Sequence, residues 1–395
     1  MRVAYSAGVG HPGINRYRIA VGLCLALSTI LYRNNALSSL GSMMTGDSDY
    51  DLSDPLPTDV KIHWIVGGPD PVTGAVPKAC SPFYGHPGPF HWEVTLGSGR
   101  FIDHQTDFYL PDAVPINLTR TYRPMDDDSH SNGRGTSDSY ELYLEAGAFS
   151  SGFVDLVLPD GGRIHFRRIS PGGDLAGAVY LNGATMGAFF GSTISWNGRG
   201  WDLRVADGTR FGFRDPASRD YRDRAALMSI TGASGETLTI KRDRLGNKLR
   251  ITSPNGGALL FRHDRFNRII AVRDNEGHLA AYSYDRNGRL AAVTDIAGGI
   301  SRYHYDAAGG IVAITDPTGR LWMKITYDDH HRVVAQDVLT GRKSRRYFYS
   351  IGADGRIAAA DIIFADGTRE HHLLDSQGFE VLPIDEPQLS ASIDL

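Results

Sequence analysis

Histidines and carboxylates come closest together at His91, Glu93, Asp103 and His104. Such a set has the donor chemistry for a divalent transition metal. Trp92, Val94 and Phe101 interleave with it, which is the alternation of strands with one polar face, so no metal site is predicted there. His330-His331 and His371-His372 are adjacent pairs. On a strand, neighbours point to opposite faces and do not chelate together. Asp126-Asp127-Asp128, followed by Ser129, Asn132 and Gly133, is an acidic loop of the kind that holds calcium, but it lacks the ligand spacing of a calcium-binding loop between helices. It reads as a solvated, mobile loop. A glycosidase needs two convergent carboxylates. The most regular carboxylates here, Asp243, Asp264, Asp285, Asp306 and Asp328, are spaced as turn residues instead. No Gly-x-Ser-x-Gly elbow, Gly-x-x-x-x-Gly-Lys loop or Gly-x-Gly-x-x-Gly before a helix is present. The expectation is a non-enzyme with no catalytic residue, cofactor or metal, the alternative being a carbohydrate-active hydrolase.

Binding chemistry has a better candidate. Arg244, Arg265 and Arg286 recur every 21 residues, each directly after a repeat aspartate. If each repeat adds two strands, equivalent side chains stand about 9.6 Å apart, twice the strand spacing, and share one face. Such a ladder suits an anionic glycan or a phosphate-bearing polymer. The bland alternative is that each arginine offsets the aspartate before it. Charge is uneven in the same sense: residues 222–350 carry 21 Lys+Arg against 13 Asp+Glu, a balance of +8. Residues 1–221 carry 18 against 23 (−5) and residues 351–395 carry 2 against 9 (−7).

The elements that would position these arginines are hairpins. Tyr284-Asp285, Gly288-Arg289-Leu290, Val293-Thr294-Asp295 and Gly298 align at an offset of 21 with Tyr305-Asp306, Gly309-Gly310-Ile311, Ile314-Thr315-Asp316 and Gly319. An upstream copy holds His263-Asp264, Asn267-Arg268-Ile269, Val272-Arg273-Asp274 and Gly277, and a further one starts at Arg242-Asp243. Tyr327-Asp328 and His331-Arg332-Val333 follow at an offset of 22, and a degenerate copy spans 347–361. Tyr282-Ser283-Tyr284 alternates as a half-buried strand does. The aspartate accepts turn amides, and Gly288, Gly309 or Asn267 supplies a positive φ. One repeat is then two strands and two turns.

These stretches resemble the YD repeats of Rhs proteins, over roughly 226–360. Upstream, Gly99-Arg100-Phe101, Thr106-Asp107-Phe108, Leu110-Pro111 and Leu118-Thr119-Arg120-Thr121-Tyr122 resemble the domain that heads Rhs chains. Gly161-Gly162-Arg163 and Asp207-Gly208-Thr209 resemble that family's tight-turn hairpins. The resemblance implies an all-β fold: tandem hairpins in a curved, open antiparallel sheet, with a β-rich head packed near one end. It supplies no reaction. Long Rhs chains of toxin systems end in a self-cleaving segment and a toxin. Asp316-Pro317-Thr318-Gly319 resembles part of that segment but falls in register as a repeat turn, so neither is expected here.

Arg2, Arg16 and Arg18 precede an apolar run over 19–31, and Arg33 follows it. Thirteen residues fit a signal-peptide core, with Ala36-Leu37-Ser38 as a cleavage site; counted from Tyr17 to Tyr32 the run is a marginal single-pass anchor. Either reading places the chain in the cell envelope or outside the cell. Only Cys24 and Cys80 are present, too few for a disulfide framework or a cysteine zinc site. The organisation expected is a signal peptide or anchor over 1–38, a Pro/Gly/Asp-rich linker over 39–88, a β-rich head over 89–225, a hairpin array over 226–360, and a capping hairpin with an acidic tail over 361–395. The function expected is a scaffold or binding protein with an anionic polysaccharide or an envelope protein as partner. The alternative is a truncated or split shell of a toxin-delivery Rhs protein, partnered by a separately encoded toxin or Rhs remainder. No specific nucleic-acid contact is expected, and membrane contact only through the N-terminal segment.

Overall fold

A computed structural model describes residues 90–375 apart from 146–151, 175, 184–188, 216–223 and 340–342, together with Gly378. The N-terminal apolar run, expected as a single helix, the linker over 39–88 and most of the acidic tail lie outside the described residues. The described residues are all β-strand, turn and irregular backbone, with no helix among them.

Three groups of strands build the fold. In the first, β1 (Phe90–Thr95), β2 (Arg100–Leu110) and β3 (Ile116–Tyr122) form a meander, β4 (Ser129–His130) and β5 (Gly133–Arg134) a short hairpin, and β6 (Thr136–Asp138) an edge on β3. The second runs through β7 (Tyr143–Glu145), β8 (Phe153–Val157), β9 (Arg163–Arg168), β10 (Val179–Leu181), β11 (Thr193–Trp196), β12 (Gly200–Arg204), β13 (Arg210–Arg214) and β14 (Arg224–Thr231), each antiparallel to the next. The third is the repeat array: β15 (Thr237–Arg242), β16 (Lys248–Thr252), β17 (Ala258–His263), β18 (Ile269–Asp274), β19 (Leu279–Tyr284), β20 (Leu290–Thr294), β21 (Ile300–Tyr305), β22 (Ile311–Thr315), β23 (Leu321–Tyr327), β24 (Val333–Val338), β25 (Lys343–Ile351), β26 (Ile357–Phe364) and β27 (Arg369–Leu373).

The second and third groups share one sheet. β14 is the junction: one edge pairs with β13, while the other pairs with β7 (Ala225↔Leu144) and then with β15 (Ile230↔Leu238). The sheet therefore closes on itself through β7–β14, and the expected open, curved run of hairpins grows out of the closed part. Curvature has a local cause. The register shifts at the same place in successive hairpins, at Lys241/Arg242, Arg262/His263, Ser283/Tyr284, His304/Tyr305 and Thr326/Tyr327. Each shift sits just before the repeat aspartate, and such bulges bend a strand and increase its twist.

Turn chemistry follows the sequence pattern. Asp285 Oδ1 accepts the amides of Asn287 and Arg289 at 2.8 and 2.9 Å, and Gly288 takes φ +81°. Asn267 occupies the equivalent position at φ +64° and His331 at +56°. His330 and His331 thus lie in a turn, which corrects their reading as strand neighbours. The His371-His372 pair does lie on a strand, β27.

Only part of the head sits at one end of the array: β7–β13 continue the sheet beyond β14, whereas residues 90–138 do not. The head's first strands and the β4–β5 hairpin lie across the core face of the array, with one contact in each of four successive repeats. Val333 N donates to Gly99 O (2.7 Å), Tyr122 Oη to Gly309 O (2.8 Å), Arg134 N to Gly288 O (2.9 Å) and Ile269 N to Ser131 O (2.7 Å). Phe101, Ile116 and Leu118 of the head share one core with Ile251, Val272 and Ile311 of the array. β1, β2, β3 and β6 form a sheet of their own and β4–β5 a separate hairpin, whereas Tyr143 onward belongs to the sheet that carries the repeats.

Candidate anion-binding ridge

Three of the five repeat aspartates have an arginine partner four residues on, whereas Asn247 takes that place after Asp243 and Gly310 after Asp306. Arg268 pairs with Asp264 (2.6 Å), Arg289 with Asp285 (2.8 Å) and Arg332 with Asp328 (2.7 Å), all partly buried. The same guanidinium lies over the tyrosine of the next repeat: Arg268 4.3 Å from the Tyr284 ring centre, Arg289 4.5 Å from Tyr305, Arg332 5.5 Å from Tyr349. Those tyrosines donate back to carbonyls of the preceding repeat, Tyr305 to Leu290 (2.7 Å) and Tyr349 to Val333 (2.8 Å), and Tyr284 likewise to Ile269. At these three places aspartate, arginine and tyrosine stitch one repeat to the next. Burial opposes charge on Asp264 and Asp328, but the arginine and turn amides outweigh it and hold both carboxyls below their ordinary value.

Arg244, Arg265 and Arg286 form no ion pair among the described residues: Asp264 and Asp285 are held by the arginines four residues on, and Asp243 by the Asn247 side chain. All three are exposed, each at the first corner of its turn. The turns 243–247, 264–268 and 285–289 join β15 to β16, β17 to β18 and β19 to β20, so all three arginines lie at the same end of the array. Neighbours are separated by two strand spacings, about 10 Å. The ridge ends there, because Ala307 and Asp329 follow Asp306 and Asp328.

The remaining candidates resolve differently. β1 and β2 place His91 opposite His104 and Trp92 opposite Asp103. The buried Asp103 takes a 2.8 Å hydrogen bond from Gln105, and His104 Nδ1 lies 3.0 Å from the Thr121 hydroxyl. Among the described residues no group of three or more His, Cys, Asp or Glu is placed to hold a metal. The acidic loop is not simply solvated: the Asp126 side chain is 9% exposed, pairs with Arg123 and lies 2.8 Å from His130 Nε2. Asp127 is exposed and pairs with Arg134.

One buried polar centre was not singled out as a site by the sequence. Arg120 makes a two-pronged bond to Asp107 (2.7 and 3.0 Å) and donates to Tyr303 Oη (3.2 Å), while Tyr282 Oη donates to Asp107 (2.7 Å). Head and array meet there on a closed, satisfied cluster whose geometry holds two strand layers together.

Two family models match. One, a domain of unknown function (DUF6531), covers residues 93–166, from the first sheet into β9. The other is the RHS repeat, over 263–300 and again over 284–321. The chain carries Rhs repeats. The repeat matches fall on β18–β22, where the Asp–Arg–Tyr stitching is most regular. Among solved structures, the Tc holotoxin pore of Photorhabdus luminescens is similar at 13% identity over 69% of this chain, with a TM-score of 0.31. The complex TcdB2-TccC3 is similar at 12% identity over 73% of this chain, also with a TM-score of 0.31. This chain spans 15% and 17% of the length of those two chains. A porin-like protein from Bacteroides uniformis is similar at 9% identity over 74% of this chain and 96% of its own, with a TM-score of 0.17. No curated protein sequence matches.

Proposed function

We propose that this Rhs-repeat chain is a non-catalytic, exported scaffold that holds an anionic glycan along the ridge of Arg244, Arg265 and Arg286. The observation that carries the reading is the division of labour among arginines. Arg268 and Arg289, four residues after their aspartates, stitch the repeats, and Asn247 holds Asp243, while the arginines that follow these three aspartates by one are exposed in a row at one end of the array. Exposed guanidiniums about 10 Å apart suit a polymer with regularly spaced carboxylates or sulfates. Export rests on the arginine-flanked apolar run before residue 38.

A second reading is a piece of the shell of a longer toxin-delivery protein, completed by a separately encoded remainder. In this chain the core face of the array is covered by the head, where Arg120 donates to Tyr303 and Tyr122 to Gly309.

The test is retention on an immobilised sulfated polysaccharide over a salt gradient. The chain is expected to elute later than the Arg244→Gln/Arg265→Gln/Arg286→Gln variant, with the difference shrinking as salt rises. Equal elution of the two removes the ridge.

A further inference from the structure

The outer face of the array has a second, independent character. Strands β15–β23 contain a single carboxylate, Asp274, and it is 3% exposed. The exposed side of these nine strands therefore carries cations without acids. Lys241, Arg250, Arg262, Arg273 and Arg302 are exposed and form no ion pair among the described residues.

Apolar side chains alternate with these cations in the register. Lys241 stands opposite Arg250, Arg250 opposite Leu260, Leu260 opposite Arg273, and Arg273 opposite Leu279. Leu260 is 44% exposed and Leu279 50%. One row across five strands thus reads cation, cation, leucine, cation, leucine. In the next two repeats Ile300 and Leu321 take the position of Leu279 and are 37% and 42% exposed. Glu276, in the turn after β18, borders the row on one side.

We propose that this face docks on an anionic lipid bilayer. A soluble polyanion would meet the arginines but leave the leucines in water. A membrane surface meets both at once: phosphates take the guanidiniums, and the leucines reach the boundary of the acyl region. Arginine stems lie along apolar surface while their heads stay with the phosphates, which suits the alternation. The row shares no residue with the glycan ridge, so either surface stands or falls alone.

Co-sedimentation of the chain with vesicles tests this. Vesicles of phosphatidylcholine with one quarter phosphatidylglycerol are expected to pellet the protein, and pure phosphatidylcholine vesicles are not. Arg250→Gln/Arg273→Gln is expected to lower partitioning about tenfold, and Arg250→Lys/Arg273→Lys to keep most of it. Leu260→Ser/Leu279→Ser is expected to lower partitioning severalfold while leaving retention on soluble polyphosphate unchanged. Membrane docking is overturned if wild type stays in the supernatant with anionic vesicles, or if the leucine variant pellets as wild type does. The second result would make the face a site for soluble polyanions.

Discussion

The ammonium of Lys248, on β16, lies 2.8 Å from the carboxylate of Asp138, on β6, with side chains only 2% and 0% exposed. Lys248 also donates to Ser131 Oγ (2.9 Å), and Tyr140 N donates to Asp138 Oδ1 (2.9 Å). A buried lysine in a hairpin array is explained only by the head that covers it. Removing one partner leaves the other charge buried and uncompensated, at a cost of about 3–5 kcal/mol. Lys248→Met is expected to lose stability in that range in urea denaturation, and Asp138→Asn on top of it to recover part of the loss. A Lys248→Met protein as stable as wild type would mean that the head does not cover this site.

The turns give a second expectation. Gly288 sits at φ +81° with no backbone crowding an added Cβ, only the Arg268 guanidinium at 3.6 Å. Gly288→Val is therefore penalised by conformation and not by collision, by about 1–2 kcal/mol. Asn267→Gly, at φ +64°, is expected to be neutral or mildly stabilising. Thermal melts of the two variants check the assignment, which an unchanged Gly288→Val melt would contradict.

Arg286 and Arg289, three residues apart, should behave oppositely. Arg289 pairs with Asp285 and lies over Tyr305, so Arg289→Gln is expected to cost about 1–2 kcal/mol in a thermal melt. Arg286→Gln is expected to leave the melt within about 0.5 kcal/mol of wild type and to change polyanion retention instead. The reverse pattern would exchange the structural and binding roles.

The hairpins were legible because their causes are local. An aspartate that accepts two amides and a glycine at positive φ lie within four residues of each other, and a spacing of 21 repeats them. The inter-repeat arginines were visible in the same alignment as Arg268, Arg289 and Arg332, but their aspartate and tyrosine contacts belong to two different repeats, and the arginines beside the aspartates drew the pairing instead. The crossing of residues 90–138 over the array was not legible, for a different reason. Arg120 reaches Tyr303 across 183 residues, and Tyr282 reaches Asp107 across 175. No spacing rule connects such positions, and only the packed core brings them together.

A pH dependence follows from His130. Burial opposes its protonation, but Glu141 and Asp126 outweigh burial and raise its pKa above the ordinary 6.5, with Arg123 acting against them. Burial would raise Glu141, but His130, Lys248 and Ser131 hold it below its ordinary 4.5. The histidine contribution is complete below pH 6.5 and is lost as pH rises through the raised value. The glutamate contribution is complete above pH 4.5 and is lost as pH falls through the lowered value. The cluster therefore stabilises most between those two limits. Denaturant midpoints are expected to fall from pH 6.5 toward alkaline pH, and His130→Gln is expected to flatten that fall. A wild-type slope that survives in the variant would place the titration elsewhere.

The last hairpin protects a strand with a sticky sequence. β26 ends in Ile362-Ile363-Phe364, and β27 covers it with Arg369, Glu370, His371 and His372, paired from Ile363↔Arg369 to Ala359↔Leu373. Gly367 closes the turn at φ +84°. Arg369 and His371 both hold the Asp361 carboxylate, at 2.7 Å each, and draw its pKa down to about 2. Charged side chains on an outer strand discourage pairing with a second chain, whereas an uncovered run of isoleucine and phenylalanine invites it. A chain ending at Phe364 loses that cover but keeps every contact between head and repeats described above. It is expected to elute as oligomers or aggregates in size-exclusion chromatography under conditions where the full chain elutes as a monomer. Restoring residues 365–375 alone is expected to restore the monomer, because the cover lies in β27 and not in the acidic residues beyond it. If the shorter chain stays monomeric, β27 covers nothing that matters; if only the full chain is monomeric, the acidic tail is the protective element.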